Sequence, residues 1–408
     1  MNRPLEILKN YWQHESFRNP QEEIISAVLV KNDVIALLPT GGGKSICFQI
    51  PALILDGICI VISPLIALIN DQFQQLLERN IKAACIPSGM SEDDMIVFFD
   101  NLKFGKFKFL YLSPERLQSS FIQEKIKQLE VSLIAIDEAH CISEWGHDFR
   151  PSYRLTHVLK NLQPKANWIA LTASANDKII KDIASNLSLD QVLVFKKSFF
   201  RSNLAYQFFN VEDKLGKMLQ IFTKTKAPAI VYVKSRNKTK EIASFLSANG
   251  FLANYYHGGL SSNEKEMAFE EWMLEKKPIM VATNAFGMGI DKSNVKVVLH
   301  LDLPSSIENY VQEAGRAGRA GQKAFSVVLF NGNDIRLAKE QLLLQTPTIA
   351  EIKECYKNLG NYFQIAKGEL SESTFDFNNN AFADRYKIKT FTLNAILQLL
   401  INNGLLHI

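Results

Sequence analysis

The sequence predicts an α/β protein: two tandem parallel-sheet lobes followed by a small, mostly helical C-terminal unit. Three observations carry this. Short apolar runs alternate with helical stretches from residue 33 to about residue 195. The same alternation restarts after residue 204, and beyond about residue 333 the strand-like runs stop while helical periodicity persists. Strands that recur between helices pair in parallel and are covered on both faces, so they read as continuous apolar segments.

Residues 1–30 have helical spacing, with Leu5, Leu8 and Trp12 and then Ile24, Val28 and Leu29 recurring on one face. Strands are predicted at Val34–Leu38, Ile58–Ile62, Ala83–Ile86, Phe107–Leu112, Leu133–Ile136 and Trp168–Leu171. Residues 196–204 break the pattern and read as a connector. In the second lobe, strands are predicted at Ala229–Val233, Ala253–Tyr256, Pro278–Ala282 and Val295–Leu301, and helices at Thr239–Asn249, Ser262–Leu274 and Ser305–Gly315. Helical runs at Ile349–Ala366 and Thr392–Asn402 flank the polar segment Ser371–Asn380, and Gly404–Ile408 reads as the start of a strand. The implied organisation is lobes at 1–199 and 200–345 and a terminal unit at 346–408.

The 408 residues, 47% apolar and 22% charged, suffice for several packed domains. The net charge of +4 permits a nucleic-acid partner without arguing for one. The five cysteines have neither metal-ligand nor redox spacing, which fits a reducing compartment. Neither a signal-peptide core nor an apolar run of roughly 18–20 residues occurs, so a soluble intracellular protein without a membrane partner is expected.

Three motifs carry chemistry. Leu37-Leu38-Pro39-Thr40-Gly41-Gly42-Gly43-Lys44-Ser45 joins an apolar strand to a helical run. A Gly-rich turn there aims backbone N–H groups at an anion on a helix N-terminus, Lys44 reaches the β- and γ-phosphates, and Ser45 is placed to hold Mg²⁺. Leu38 stands where the first glycine of the usual pattern sits. The second motif, Ile136-Asp137-Glu138-Ala139-His140, ends an apolar strand in two carboxylates at the edge where parallel sheets bind ligands. Asp137 is suited to hold Mg²⁺ through water and Glu138 to polarise an attacking water. His140, Cys141 and His147 are close in sequence but fit no standard zinc spacing. The third motif is Gln312-Glu313-Ala314-Gly315-Arg316-Ala317-Gly318-Arg319. Its arginines are permanently charged forks for phosphate oxygens, suited to act as fingers from a second lobe.

In this order the motifs resemble a superfamily 2 helicase, most nearly the RecQ family of DNA helicases, over roughly residues 5–335. The resemblance implies two RecA-like lobes with ATP and Mg²⁺ bound between them. Phe17-Arg18-Asn19-Pro20-Gln21 resembles the family's adenine-reading segment: Gln21 would read the base edge, Arg18 would approach the nucleotide, and His14 would lie against the base. Ser63-Pro64-Leu65-Ile66-Ala67-Leu68 and Leu112-Ser113-Pro114-Glu115-Arg116 resemble strand-contacting loops. Ser143 to Arg154 resembles the family's aromatic-rich loop. Trp145 and Phe149 can stack on unpaired bases, at about 1–3 kcal/mol each. By the same resemblance His147, Arg150 and Tyr153 would be the loop's further DNA contacts, and Arg154 could also meet phosphate. Leu171-Thr172-Ala173-Ser174-Ala175 resembles the hinge-proximal motif. In the second lobe, Arg236 and Thr283 would touch the strand backbone, and Gly289 and Asp291 would face the nucleotide.

One departure is clear. Typical members continue into a four-cysteine zinc module, but only Cys355 lies beyond residue 330, so no zinc is expected. Residues 349–408 would replace that module or form part of a winged helix. The resemblance implies a 3′-to-5′ ATP-dependent enzyme acting on single-stranded and tailed or forked duplex DNA and serving repair or recombination in the family manner, with the chain expected to act as a monomer. An RNA helicase, a translocase that does not separate strands, and a DNA clamp using ATP only as a structural ligand stay open at this point.

Overall fold

The computed structural model describes residues 3–39, 41–64, 66–86, 89–143, 150–173, 175–225, 227–287, 292–366 and 374–406. The chain divides into two compact units, one of Met1–Phe208 with Leu215–Val328 and one of Phe209–Lys214 with Leu329–Ile408.

The first unit holds two sheets. Strands β1 (Asp33–Leu37), β2 (Ile58–Ile62), β3 (Ala83–Cys85), β4 (Phe109–Leu112), β5 (Val131–Ile136), β6 (Asn167–Thr172) and β7 (Val192–Lys196) form one, in the order β3-β4-β2-β5-β6-β1-β7. Its pairings are parallel. The apolar runs are continuous because both faces are buried. Ile35, Leu37, Ile60, Ile62, Ile134 and Ile136 pack into one core layer. The residues between them, including Val34, Ala36, Cys59, Val61, Leu133 and Ala135, pack into the layer opposite. That alternation is the period-2 geometry of a strand applied to two hydrophobic faces.

The second sheet comprises β8 (Leu204–Asn210), β9 (Ala229–Tyr232), β10 (Ala253–Tyr256), β11 (Ile279–Ala282), β12 (Val297–His300) and β13 (Ala324–Phe330), ordered β10-β11-β9-β12-β13-β8. Ile230, Met280, Ala282, Val298 and the fully buried Trp272 build its core. The predicted strands all appear, within a few residues at their ends. Three strands add to them. β7 and β8 are edge strands with mixed exposure, so their apolar signal is diluted. β13 is a buried run interrupted by Ser326.

In the second unit, helices Gly332–Gln345, Ile349–Phe363, Asn379–Tyr386 and Thr390–Asn402 enclose Cys355, Leu359, Phe382, Leu393, Ile396 and Leu400. The Ile349–Phe363 helix ends earlier than its periodicity suggested, at Gln364 in a left-handed conformation. Helix Asn379–Tyr386 falls in part within a segment that reads as polar linker. The strand expected from Gly404 is not formed among the described residues: Gly404 closes the last helix at φ 69°, Leu405 follows it in a bend, and Leu406 is irregular. Leu406 packs against the helical core.

Candidate functional site

The site begins where β1 ends. Leu38 donates its N–H to the carbonyl of Thr172, and the Gly42 N–H closes a turn on the Pro39 carbonyl at 2.8 Å. Gly41 and Gly43 have φ of 76° and 73°, a region that L side chains rarely adopt. A methyl at Gly43 would also lie 2.4 Å from Gln21 Nε2, so the Gln21 amide would have to shift. Helix Ile46–Ile54 follows, capped by Ser45, whose side chain makes no capping bond. The turn therefore delivers Lys44 and Ser45 at a helix N-terminus, where the peptide dipole favours an anion. Gln21, almost fully buried, donates to the carbonyls of Gly42 (3.2 Å) and Gly43 (3.0 Å) and accepts from the Arg18 N–H at 2.8 Å. The Arg18 guanidinium donates to the Gly41 carbonyl at 2.9 Å. His14 is exposed.

β5 delivers the two carboxylates. Asp137 Oδ1 accepts from the Glu138 N–H at 3.0 Å, and Oδ2 accepts from Gln72 Nε2 at 3.0 Å. Burial, and next to it the Glu138 charge, push the Asp137 carboxyl up to about 6, against the pull of Lys44 and Gln72. Glu138 sits at φ 47°, an uncommon conformation for a side chain of its size, which turns its carboxylate toward the phosphate loop. Its Oε1 accepts from Lys44 Nζ at 2.7 Å. Burial works against the Lys44 charge, but Glu138 and Asp137 outweigh it and raise the ammonium above its usual value. Glu138 Oε2 lies 3.4 Å from His140 Nδ1, and that same nitrogen is 2.9 Å from Thr172 Oγ1. One buried histidine thus joins the carboxylate motif to the hinge-proximal motif and, through Leu38, to the phosphate loop.

The second sheet's lobe brings Arg319 to this loop. The Arg319 side chain crosses Gly41 so closely that a methyl group there would sit 3.2 Å from its Cγ. Its charge is near enough to oppose that of Lys44. Arg316 is buried over Gly287, where a methyl would meet Nη2 at 2.7 Å. Gln312 is half-buried on helix Ile307–Ala314, and Glu313 Oε2 of that helix lies 2.8 Å from Nε2 of the buried His300 ring. Arg236 is exposed at the start of helix Arg236–Ala248 and packs over Gly259. With Lys240, Glu241 and His257 it lines an open cavity of about 400 Å³.

Thr40, Trp145, His147, Phe149, Ser174, Gly289 and Asp291 lie outside the described residues. One expected strand contact departs from expectation. Tyr153 is fully buried, and its hydroxyl donates to the Asp137 carbonyl at 3.0 Å, so it supports the carboxylate turn instead of facing a strand. Thr283 is 7% exposed at the end of β11. Arg150 donates to the Pro64 carbonyl, tying its loop to the neighbouring segment. Sequence reasoning placed His140 and Thr172 in motifs but gave neither a role in the site, and it missed Gln72, whose signal was a glutamine on an otherwise apolar stripe between Ile69 and Leu76.

The oxygen donors Ser45 and Asp137 fit a hard divalent cation such as Mg²⁺. Both carboxylate oxygens of Asp137 already accept hydrogen bonds, which suits coordination through water. A phosphate loop, paired carboxylates and arginines from a second parallel-sheet lobe define a nucleoside-triphosphate-dependent enzyme of helicase type. Residues 18–183 match the DEAD/DEAH box helicase family and residues 211–321 the helicase conserved C-terminal domain. The chain is 37% identical over 364 residues to the probable ATP-dependent DNA helicase RecS of Bacillus subtilis, covering 88% of this chain and 73% of that one. It is 41% identical over 342 residues to the ATP-dependent DNA helicase RecQ of the same organism, covering 83% of this chain and 58% of that one. The chain belongs to the RecQ family of superfamily 2 helicases. It spans little more than half of the RecQ relative's length. In fold it is similar to Mycobacterium smegmatis Lhr bound to ssDNA and AMP-PNP, with a TM-score of 0.64 at 18% identity over 95% of this chain and 52% of that one. Saccharomyces cerevisiae Dbp5 bound to RNA and ADP BeF3 has a TM-score of 0.62 at 16% identity over 82% and 90%. No helix among the described residues is long and apolar enough to cross a membrane.

Proposed function

We propose that the chain is an ATP-dependent DNA helicase that translocates 3′ to 5′ on a single strand and opens tailed or forked duplexes, in repair or recombination. The observation that carries this reading is the Lys44–Glu138 pair at 2.7 Å with Arg319 laid across Gly41 beside it. An acid, a cation and an arginine finger meet there on a phosphate loop. RecS and RecQ are both named as DNA helicases, which favours DNA over RNA.

The roles follow from charge. Lys44 exchanges Glu138 for the β- and γ-phosphates. Glu138, released, orients a water and accepts its proton. Arg319 and Arg316 stabilise the charge that develops on the transferred group, with Gln312 beside them. Mg²⁺, when bound at Ser45 and through water at Asp137, would neutralise the phosphate oxygens. Gln21, Arg18 and His14 bind the base end; Gly289 and Asp291 complete the nucleotide site. Trp145, His147, Phe149, Arg150 and Arg236 take the strand.

Strand displacement on forked and 3′-tailed duplexes tests the reading, alongside ATP hydrolysis with single-stranded DNA or RNA. Unwinding of 3′-tailed but not 5′-tailed substrates is expected. Hydrolysis stimulated by RNA alone would overturn the choice of DNA, and hydrolysis without displacement would leave a translocase.

A further inference from the structure

Gln72 lies on helix Ile66–Glu78, on the buried stripe between Ile69 and Leu76, and is itself 7% exposed. An amide at that position is costly unless both its ends are bonded, and an aliphatic side chain would serve packing better. Both ends are bonded. The hydroxyl of the fully buried Tyr111 donates to Gln72 Oε1 at 3.3 Å, and Gln72 Nε2 donates to Asp137 Oδ2 at 3.0 Å. Tyr111 orients the amide: with the oxygen facing its hydroxyl, the NH₂ must face the carboxylate.

The position of the helix gives this contact a second meaning. Its first residues continue the Ser63-Pro64 segment that leaves β2, and Arg150 of the aromatic-rich loop donates to the Pro64 carbonyl. One helix therefore follows the proposed strand-contacting segment and, within two turns of its start, donates a hydrogen bond to the Asp137 carboxylate. We infer that Gln72 is a positioning residue that fixes Asp137 for the metal–nucleotide complex and transmits strand occupancy at Ser63 and Pro64 to it. Displacement of the helix changes whether Asp137 Oδ2 is held or released. The inference rests on the proposed function, but its metal arm can be read without turnover.

The test uses the full chain with Gln72→Leu, which keeps the volume and removes the amide, and Tyr111→Phe, which removes only the hydroxyl that orients it. Mn²⁺ binding in the presence of a non-hydrolysable ATP analogue is followed by electron paramagnetic resonance. The stimulation of ATP hydrolysis by single-stranded DNA is measured as a ratio. Gln72→Leu is expected to weaken Mn²⁺ binding by about tenfold, as removal of an outer partner of a metal ligand does. The stimulation ratio should fall by a similar factor while affinity for the strand holds. Tyr111→Phe should move both readouts the same way by less, and it decides the matter if Gln72→Leu does not fold. Mn²⁺ binding or a stimulation ratio within twofold of the wild type would overturn the inference. A wild-type chain with no strand-stimulated hydrolysis would instead sink the proposed function, and the Mn²⁺ titration would still report on Gln72.

Discussion

Lys44 and Glu138, 94 residues apart, meet at 2.7 Å with both side chains largely removed from water. The contact joins the phosphate loop to the carboxylate turn. It holds the lysine charged and keeps the glutamate from being a lone buried charge. Glu138→Gln keeps a hydrogen bond to Lys44 but cannot accept a proton. ATP binding should survive, and turnover should fall by about 10²–10⁴. Lys44→Ala should abolish turnover and also weaken ATP binding. Isothermal titration with ATP, set beside steady-state hydrolysis, separates the two; equal loss of binding in both variants would contradict the assignment.

Arg319 comes from the other lobe, and its place over Gly41 is a close steric fit. Arg319→Ala should lower the rate of hydrolysis by about 10³ with a small effect on ATP affinity. Arg319→Lys should recover little, because a point charge lacks the planar fork. Single-turnover hydrolysis measures this, and a fully active lysine variant would argue that only charge matters there.

Gln21 is a case where geometry adds to expectation. Its amide is engaged with the carbonyls of Gly42 and Gly43. A residue that only reads adenine would discriminate ATP from GTP; a residue that also holds the loop would affect both. Gln21→Ala should therefore raise KM for ATP by about tenfold, corresponding to two lost hydrogen bonds, and raise KM for GTP as well. A change confined to ATP would assign Gln21 to base reading alone.

The carboxylates are also legible in stability. The Asp137 carboxyl is raised to about 6 by burial and by Glu138. Because the folded value lies above the unfolded one, the cost of this charge is fully present above about pH 6. It disappears as pH falls toward 4, so stability contributed here rises on acidification. That cost is on the order of 1–3 kcal/mol. Asp137→Asn removes the charge, so the variant should gain on the wild type at pH 7 and lose that advantage at pH 4. Melting temperatures of the nucleotide-free chain across this range measure the difference, and a difference independent of pH would refute it.

How much of this was readable without coordinates depended on whether a residue acts through its neighbours in sequence or across the fold. The phosphate loop, the Asp137-Glu138 turn and the interior strands are local patterns, and they stood out as continuous apolar runs ending in glycines or charges. Gln72, His140 and Thr172 act only because β1, β5 and β6 and one helix converge, and no local spacing encodes that convergence. The edge strands β7 and β8 were weak for a related reason: with one face exposed, their alternation resembles a loop. Arg316 and Arg319 were readable as a motif, but the burial of Arg316 over Gly287 was not.

Tyr153 shows the same limit and can be tested directly. It sits in a stretch rich in aromatic and basic residues, a composition that suggests strand contact. Its ring is fully buried, and its hydroxyl donates to the Asp137 carbonyl at 3.0 Å. Tyr153→Phe removes one buried donor while keeping the ring, at a cost of about 1 kcal/mol of stability. Affinity for single-stranded DNA should be unchanged, because the side chain does not reach the surface. Hydrolysis should fall modestly, since the carbonyl that loses its partner belongs to Asp137, the residue proposed to hold the metal. Fluorescence anisotropy with a labelled oligonucleotide, measured beside the melting temperature, distinguishes the roles: a large loss of strand affinity with no loss of stability would return Tyr153 to the strand-binding surface.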